Sequence, residues 1–297
     1  MQPINILVWN CRGIVNRETQ HALVDLVRAK RPSLIFLAET LAQPNIIDSL
    51  TGRLGFKGHI CFAQDNEVQS QGVALIWNHN LHANLRSYSP NHIDADISQA
   101  PGEPALWRFT GIYGVASRTE RRHTWDLIES LAAEPCSLPW IMAGDFNEII
   151  SNLDKSGGAP RAEAPMLRFR QTMTNSGLYD MGFVGSRFTW SNKHTKERLD
   201  RSFQNMLWQT CFPFSRVITL NPSDSDHVPL LVEVRQDNAK QTKPPRRFRF
   251  EEMWHGDERC QKIIQQNWST PLTGNALQQL STKIHATGVE LLQWHNV

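Results

Sequence analysis

Short apolar runs that end at polar or glycine residues recur along most of the chain. Each run is rich in β-branched or aromatic residues and is followed by turn-forming residues, which is the pattern of buried β-strands. The predicted strands are Ile4–Trp9, Leu34–Ala38, Gly72–Trp77, Trp107–Tyr113, Trp140–Ala143, Phe188–Ser191, Arg198–Phe203, Val217–Leu220 and Val228–Val234. Beyond Gly177, strands are therefore expected to dominate as far as Val234.

Stretches with apolar residues at three-to-four spacing predict helices between some of these strands. Asn16 is suited to capping a helix that Pro32 ends. Thr119–Ala133 and Glu163–Ser176 carry apolar residues on one helical face, and Gly177 is a suitable C-cap for the second helix. This set has too many strands for a helical bundle and too many helices for a simple β-sandwich. It predicts an α/β fold with two packed sheets and helices outside them.

The pattern changes beyond the last predicted strand. Basic residues follow one another around Pro244 and Pro245, which is typical of a linker. We therefore expect the main domain to be residues 1–235 and the linker to be residues 236–250. Residues 251–297 carry apolar residues at helical spacing and predict a helical tail, which is too short for a good core of its own.

Composition sets limits without indicating a function. The 297 residues suffice for one large domain and an appendage, and a net charge of +2 neither requires nor excludes a polyanionic partner. The five cysteines are scattered, odd in number and without CxxC spacing, which disfavours disulfides and a thiolate zinc site. The chain also lacks a signal-peptide pattern and a run of about 18 apolar residues. We therefore expect a nuclear or cytoplasmic protein that is neither secreted nor membrane-bound.

Polar side chains recur where the apolar runs stop. The candidate site residues are Asn10, Glu39, Tyr113, Asp145, Asn147, Asp200, Ser225, Asp226 and His227. Phosphodiester hydrolysis needs such a set, because a cation must neutralise the phosphate, a water must be activated and the leaving oxygen must be stabilised. Carboxylate and amide oxygens suit Mg²⁺ or Mn²⁺, whereas zinc prefers the clustered Cys and His ligands that this chain lacks.

Each of these residues also has an ordinary structural interpretation. Asn10 can satisfy backbone groups in a turn, Glu39 can be an acid at a helix start, and Tyr113 can be an aromatic at a domain boundary. The segment Gly144-Asp145-Phe146-Asn147 favours function more strongly, since two short polar groups directly follow a buried strand and point to the same side. The Asp226-His227 pair, held against the apolar run after it, is similar.

Six motifs in order resemble one known superfamily. They are Trp9-Asn10, Ala38-Glu39-Thr40, Ile112-Tyr113, Gly144-Asp145-Phe146-Asn147, Arg198-Leu199-Asp200-Arg201 and Ser225-Asp226-His227-Val228-Pro229. Their series is similar to that of the endonuclease/exonuclease/phosphatase superfamily. Within it the chain most resembles the endonuclease of plant LINE-type non-LTR retrotransposons, firmly from Ile4 to about Val234 and loosely in the tail. The resemblance implies a four-layer α/β sandwich of the deoxyribonuclease type, with two mixed sheets flanked by helices.

The resemblance also implies how a metal and a water are held. Glu39 would bind the metal with help from Asn10, and Asp226 would belong to the metal environment, with Ser225 supporting its loop. Asp145 would orient or deprotonate the attacking water. The implied cofactor is Mg²⁺, with Mn²⁺ as an alternative, and no small-molecule cofactor is expected.

The remaining site residues are implied to act on the phosphate. Asn147 and Tyr113 would hold phosphate oxygens. His227 would contact the scissile phosphate and would be oriented by Asp200. With these roles assigned, the resemblance leaves no expected catalytic position empty in this sequence.

The resemblance favours an endonuclease that nicks one DNA strand and leaves a 3′-hydroxyl. A phosphatase of the same fold that acts on small phosphorylated molecules is the alternative, because one fold serves many substrates. A catalytically inert fragment that only binds nucleic acid is a second alternative. The helical tail would be an incomplete connector toward a reverse transcriptase that this chain lacks, so the chain resembles a 5′ fragment or a stand-alone remnant of an element.

Basic residues on predicted connections and helix starts are candidates for contacts with a DNA backbone. They are Arg12, Arg17, Arg118, Arg121, Arg122, Lys155 and Arg161. Solvated surface charge is the alternative interpretation of each one. Trp190 is a candidate for stacking on a base, with core packing as its alternative.

Overall fold

The computed structural model describes residues 4–63, 72–221, 225–236, 257–269, 271 and 276–295. The strands are β1 (Ile4–Asn10), β2 (Leu34–Ala38), β3 (Gly58–Ala63), β4 (Gly72–Trp77), β5 (His82–Ser89), β6 (His92–Ser98), β7 (Trp107–Tyr113), β8 (Trp140–Asp145), β9 (Lys155–Ser156), β10 (Tyr179–Asp180), β11 (Trp190–Ser191), β12 (Lys196–Glu197), β13 (Asp200–Gln204), β14 (Arg216–Thr219) and β15 (Leu230–Val234). The helices are α1 (Arg17–Lys30), α2 (Pro44–Leu54), α3 (Arg122–Ala133), α4 (Glu163–Asn175), α5 (Met206–Cys211), α6 (Glu258–Ser269) and α7 (Ala276–His295).

Two six-stranded mixed sheets form the main part of the fold. The first has the order β14-β15-β1-β2-β4-β3, and the second has the order β10-β13-β8-β7-β6-β5. The pairs β1 with β2 and β7 with β8 are parallel, and the other pairs are antiparallel. A small third sheet joins β11, β12 and β9. The structure thus confirms the predicted α/β fold with two packed mixed sheets flanked by helices.

The central strands are buried on both faces, which explains their continuous apolar sequences. Val8 and Phe36 point between the sheets and share one core with Phe109 of the second sheet. Their neighbours Leu7 and Ile35 belong to the core under helices α1 and α2. A third core, which includes Trp125 of α3 and Phe169 of α4, covers the outer face of the second sheet. Each large apolar side chain buried in these layers contributes about 1.5–3 kcal/mol to stability.

Gly111 of β7 packs directly against the aromatic ring of Phe36 on the facing sheet. A Cβ atom at this position would lie 2.2 Å from the aromatic ring of Phe36 on the facing sheet. The ring is fully buried, so it has no solvent-exposed space into which to move. A residue without a side chain is therefore required in this part of β7.

Several predicted strands have the observed bounds, and others shift by a few residues. The strands β2, β4 and β7 begin and end where the sequence predicts. The strand β8 extends two residues further, to Asp145, and β15 begins at Leu230 because Pro229 has no backbone N–H group for a ladder. Helix α1 is capped by the side chain of Asn16 as predicted, and α3 starts at Arg122, which is later than the predicted Thr119.

Helix α2 and strands β3, β5 and β6 have no counterpart among the predicted elements. Helix α2 lacks a side-chain cap, because Gln43 makes no capping hydrogen bond, and Pro44 at its first position is its one start signal. In β6 the apolar residues alternate with Asp94 and Asp96, and aspartate is rare in strands. The buried Asp94 is compensated by Arg108 of the neighbouring strand, at 2.8 Å.

The chain divides into two compact units, Met1–Asp237 and Asn238–Val297. In the second unit, α6 and α7 pack through the buried residues Cys260 and Leu291, which agrees with the predicted helical tail. The predicted linker at 236–250 lies outside the described residues except for its first residue. In the described part of the chain, no helix combines the length and apolar character that crossing a membrane requires.

A chain that ends at Gln236 should fold on its own. Strand β15 is already paired with both β14 and β1 within the first unit, so the first sheet is complete at this point. We expect a single cooperative thermal transition by circular dichroism, with a melting temperature within a few degrees of that of the full chain. A matched control that ends at Pro229 lacks β15 and should not fold. An unfolded chain ending at Gln236 would place the domain boundary elsewhere.

Candidate active site

The two sheets bring polar strand ends together at one edge. Asn10 ends β1 in the first sheet, and Asp145 ends β8 in the second sheet. The Asn10 Nδ2 group donates hydrogen bonds to Glu39 Oε1 at 2.9 Å and to Asp145 Oδ2 at 3.0 Å. This one amide therefore connects the two sheets and fixes the positions of two carboxylates.

His227 lies between two buried aspartates. Its Nδ1 atom is 2.9 Å from Asp200 Oδ2, and its Nε2 atom is 3.7 Å from Asp145 Oδ2. Burial alone would lower the pKa of His227, but the charges of Asp200 and Asp145 raise it well above its ordinary value. Burial raises the pKa of Asp145, and the negative charge of Asp200 acts in the same direction. The imidazole is therefore held as a cation with Nδ1–H directed at Asp200.

Asn147 and Tyr113 lie beside Asp145. The Asn147 backbone N–H donates to Asp145 Oδ1 at 2.8 Å, and its Nδ2 group donates to the carbonyl oxygen of Gly114 at 2.7 Å. Tyr113 stands next to Asp145 in the parallel register of β7 and β8. Burial raises the pKa of Tyr113, and the charges of Glu39 and Asp145 raise it further. The phenol therefore remains a hydrogen-bond donor at neutral pH.

The loop before β15 supplies the last predicted residues. Ser225 Oγ donates to the carbonyl oxygen of Asn10 at 2.9 Å and accepts the backbone N–H of His227 at 3.1 Å. Trp190 Nε1 donates to Asp226 Oδ2 at 2.7 Å. Ser225 therefore ties this loop to β1, and Trp190 orients the Asp226 carboxylate.

Backbone strain is concentrated at this edge. Arg12, Glu39 and Asn147 have positive φ angles of 49°, 50° and 54°. Such conformations cost residues other than glycine of order 1–3 kcal/mol each and persist only where the surroundings hold them. The strained backbone indicates that the side-chain positions at this edge are fixed by the fold.

The donor atoms at this edge fit a divalent cation. Glu39 and Asp226 offer carboxylate oxygens, and Asn10 offers an amide oxygen, which are the ligand types that Mg²⁺ and Mn²⁺ prefer. Asp226 Oδ1 is buried and accepts no hydrogen bond within the described parts of the chain. The cationic Arg12 pairs with Asp226 and lies 3.7 Å from Glu39 Oε2, so this position already attracts positive charge.

A second group of possible ligands overlaps the first. One donor atom each from Asp145, Asp200 and His227 lie within 4.8 Å of one another, and all three residues are buried. The His227 Nδ1 atom is engaged by Asp200, and the raised pKa of His227 disfavours the neutral imidazole that a metal requires. A protonated His227 is a poor metal ligand, so the oxygens of Glu39, Asp226 and Asn10 are the better candidates for holding a divalent cation.

The predicted DNA-contacting arginines differ in their surroundings. Arg12, Arg118 and Arg122 are exposed, so they are accessible to a nucleic acid. Arg121 is buried, and its Nη1 atom pairs with Glu148 Oε2 at 2.8 Å. The prediction of Arg121 as a surface contact is therefore corrected: its guanidinium is used inside the protein, because an unpaired charge cannot remain buried without a large cost.

Trp190 also has a structural use. Its ring packs against the buried residues Ile149, Met166 and Leu199, and its indole N–H is engaged by Asp226. These contacts support the core-packing interpretation over stacking on a base. The hydrogen bond to Asp226 is a role that the sequence did not reveal, because Trp190 and Asp226 are far apart along the chain.

The fold and the site together define a hydrolase of the nuclease and phosphatase class. Residues 7–227 match the Endonuclease/Exonuclease/phosphatase family, and the chain belongs to this family. Among solved structures it is similar to the endonuclease domain of TRAS1, a telomere-specific non-LTR retrotransposon, with a TM-score of 0.59, 15% identity and coverage of 79% of this chain and 99% of that chain.

Two further solved structures have the same fold. One is the 3'-5' exonuclease NExo from Neisseria meningitidis, with a TM-score of 0.60, 18% identity and coverage of 78% of this chain and 100% of that chain. The other is the AP endonuclease LMAP from Leishmania major, with a TM-score of 0.60, 16% identity and coverage of 79% and 88%. At these identities the similarity establishes the deoxyribonuclease-like fold.

A relative from Drosophila melanogaster is similar in sequence. It is a probable RNA-directed DNA polymerase from transposon BS, 23% identical over 249 residues, which are 83% of this chain and 26% of that protein. The chain thus spans about a quarter of the length of this relative. The predicted resemblance to the superfamily and to retrotransposon endonucleases is therefore confirmed.

Proposed function

We propose that this chain is a metal-dependent DNA endonuclease that nicks one strand and leaves 3′-hydroxyl and 5′-phosphate ends. The observation that carries the proposal is the position of Asp145, which is bonded to Asn10 on one side and lies 3.7 Å from His227 on the other. A carboxylate held between a metal-side amide and an imidazolium is suited to activating water beside a phosphate.

The proposed site has two groups of side chains, those that act on the water and the phosphate and those that hold the metal. Asp145 orients and deprotonates the attacking water, and its buried position favours taking up the proton. His227, held as a cation by Asp200, donates from Nε2–H to a phosphate oxygen. Tyr113, which keeps its proton, and Asn147 supply further donors for the phosphate oxygens.

Glu39 and Asp226, with Asn10, are the proposed ligands of Mg²⁺, for which Mn²⁺ can substitute. A bound cation would neutralise phosphate charge and stabilise the leaving oxygen. Ser225 keeps Asp226 and His227 in place through its hydrogen bonds to the loop and to β1.

Surface charge and similarity support DNA as the substrate. Arg12, Arg118 and Arg122 are exposed, and exposed guanidinium groups are suited to a long phosphate backbone. Similarity to a retrotransposon endonuclease domain and to an AP endonuclease points to the same substrate. An intracellular setting, nuclear or cytoplasmic, completes the proposal and is supported by the five unpaired cysteines.

The purified protein should convert supercoiled plasmid into nicked circles in Mg²⁺, and a chelator should abolish the reaction. The rate should fall steeply as salt increases, because contacts with phosphates release counterions. A DNA polymerase and a labelled nucleotide should then extend the nicks directly, which reads a 3′-hydroxyl terminus.

Two controls make this assay decisive. The Asp145→Asn variant, purified in the same way, should leave the plasmid supercoiled and so excludes a contaminating nuclease. A different outcome is that the protein releases phosphate from soluble inositol phosphates and leaves the plasmid untouched in the same buffer. That result would contradict the DNA assignment and support the alternative of a phosphatase with the same fold. A well-folded protein that binds plasmid without cleaving it would instead support an inert remnant.

A further inference from the structure

Five charged side chains form a chain of ion pairs next to Asn147. The members of this Glu148 ion-pair chain are, in order of contact, Arg121, Glu148, Arg161, Glu197 and Lys155. Glu148 Oε2 and Oε1 lie 2.8 Å from Arg121 Nη1 and 2.7 Å from Arg161 Nη1. Arg161 and Lys155 both contact Glu197, the latter at 2.9 Å. Cations and carboxylates alternate, so the charges compensate one another.

Burying these ions costs the protein their free energy of hydration, which suggests that the arrangement serves more than stability. Glu148 is only 1% exposed, and Glu197 is 4% exposed. Although burial alone would raise the pKa of Glu197, Arg161 and Lys155 hold it below its ordinary value. Apolar residues could fill the same space without the loss of hydration that buried ions incur. What the ions provide and apolar groups do not is directional contact with fixed geometry.

The Glu148 ion-pair chain contacts the backbone of Asn147 directly. Arg161 Nη1 donates to the carbonyl oxygen of Asn147 at 3.1 Å, and Glu148 directly follows Asn147 in the sequence. The φ angle of Asn147 is 54°, a left-handed conformation that other contacts must hold in place. Glu148 Oε1 also accepts the backbone N–H of Ile149 at 3.0 Å. The turn that follows β8 is therefore held by contacts with residues that come after it in the sequence.

Arg121, at the other end of the Glu148 ion-pair chain, holds the segment that the Asn147 side chain contacts. Arg121 donates to the carbonyl oxygens of Val115 at 3.3 Å and Ala116 at 3.1 Å. These residues directly follow Gly114, whose carbonyl oxygen accepts the Asn147 Nδ2 group. The ion-pair chain thus holds both the backbone of Asn147 and the segment that orients its amide.

A connection to the metal side passes through Glu197. This residue pairs with Trp190 in the antiparallel register of β11 and β12. Trp190 in turn donates its indole N–H to Asp226. The same set of ions therefore contacts the backbone of Asn147 and, through strand β12, adjoins the residue that hydrogen-bonds Asp226.

We propose that Arg161, acting with Glu148, is a positioning residue that sets the Asn147 amide for the reaction and makes no contact with substrate. This inference rests on the proposed function for its kinetic consequence. The Arg161 guanidinium donates to Glu148, Glu197 and the Asn147 carbonyl, so its charge is already neutralised inside the protein. A role as a DNA-phosphate contact, which the sequence alone suggests, is therefore replaced.

The Arg161→Lys variant distinguishes a positioning role of Arg161 from a direct contact with a DNA phosphate. Lysine keeps the positive charge but lacks the planar fork that reaches acceptors on three residues at once. We expect Arg161→Lys to lower kcat for plasmid nicking by about 10-fold to 100-fold, on the scale of a misplaced catalytic group, with KM and the salt dependence unchanged. The proposal would be overturned if Arg161→Lys had near-wild-type activity and Arg161→Gln had a raised KM and a weaker salt dependence. These results would show that Arg161 contacts a DNA phosphate.

A double-mutant cycle with Asn147→Ala tests whether Arg161 acts through Asn147. If it does, Arg161→Lys should cause little further loss in the Asn147→Ala background. Independent, multiplicative losses would overturn the proposal. The matched control is Arg168→Gln on α4, whose exposed arginine pairs with Glu129 at 3.0 Å, and it should leave kcat and KM unchanged.

Hydrogen exchange followed by mass spectrometry supplies a readout that does not depend on the substrate. In Arg161→Lys the peptides that contain 145–149 and 114–116 should exchange faster, while those from β2 and β7 should not change. Unchanged exchange at 145–149 would overturn the positioning role whatever the substrate is. If the exchange result holds but the wild-type protein does not nick plasmid, the proposed DNA substrate fails and the positioning role stands.

Discussion

Replacing Asp145 with asparagine should lower kcat for plasmid nicking by at least about 10²-fold, the scale of a lost general base. The substitution keeps the shape of the side chain but removes its ability to take up a proton. Asp145 is 1% exposed and burial raises its pKa, so the position tolerates an uncharged side chain. Both of its oxygens accept N–H groups, from Asn10 and Asn147, so the NH2 group of asparagine will face one of these donors and some loss of stability is expected. Single-turnover kinetics on the folded variant, with its melting temperature measured in parallel, tests this.

The matched control is Asp126→Asn, which alters an exposed aspartate on α3 away from the site. This control should retain wild-type kinetics. If Asp145→Asn nicks DNA at close to the wild-type rate, Asp145 does not activate the water. The role would then have to be reassigned to another carboxylate at the same edge, such as Glu39.

Replacing His227 with glutamine should also lower kcat by at least about 10²-fold, because the variant loses a cation beside the phosphate. Asp200→Asn should cost less, since the imidazole remains and asparagine can still accept the Nδ1–H, but the negative charge that raises the pKa of His227 is lost. Because Asp200 acts through His227, the double variant should be about as slow as His227→Gln alone. The three rate constants, measured under single-turnover conditions, test this order.

His123→Gln provides the control for this series, because His123 is exposed at the start of α3. A double variant much slower than His227→Gln would show that Asp200 has a role apart from orienting His227. Full activity of His227→Gln would remove the imidazole from the mechanism.

The central part of the fold is readable from the sequence because its strands are covered on both faces. Leu34–Ala38 and Gly72–Trp77 are continuous apolar runs, and no helix of that length would be expected. The sheet edges are less readable. In β6 the polar residue Asp94 is buried only because Arg108 and Thr110 of the neighbouring strand bond to it, and this pairing is set by tertiary structure.

The candidate site is readable for a related reason. In both sheets the pair of parallel strands ends at the same edge, so polar residues that follow apolar runs come together. What the sequence does not show is which charges are used internally. Arg121 and Arg161 have the same local appearance as the exposed Arg118 and Arg122, and what distinguishes them is the buried Glu148, joined for Arg161 by the buried Glu197.

The hydrogen bond from Asn10 to Asp145 makes the distance between the two sheets a catalytic parameter. Asn10 and Glu39 are positioned by the first sheet, whereas Asp145 is positioned by the second, so neither sheet contains a complete site. Between the sheets, the ring of Phe36 packs directly against the backbone of Gly111. Changes in core volume at that contact are therefore expected to shift the two halves of the site relative to each other, so the thickness of the hydrophobic layer between the sheets bears on catalysis as well as on stability.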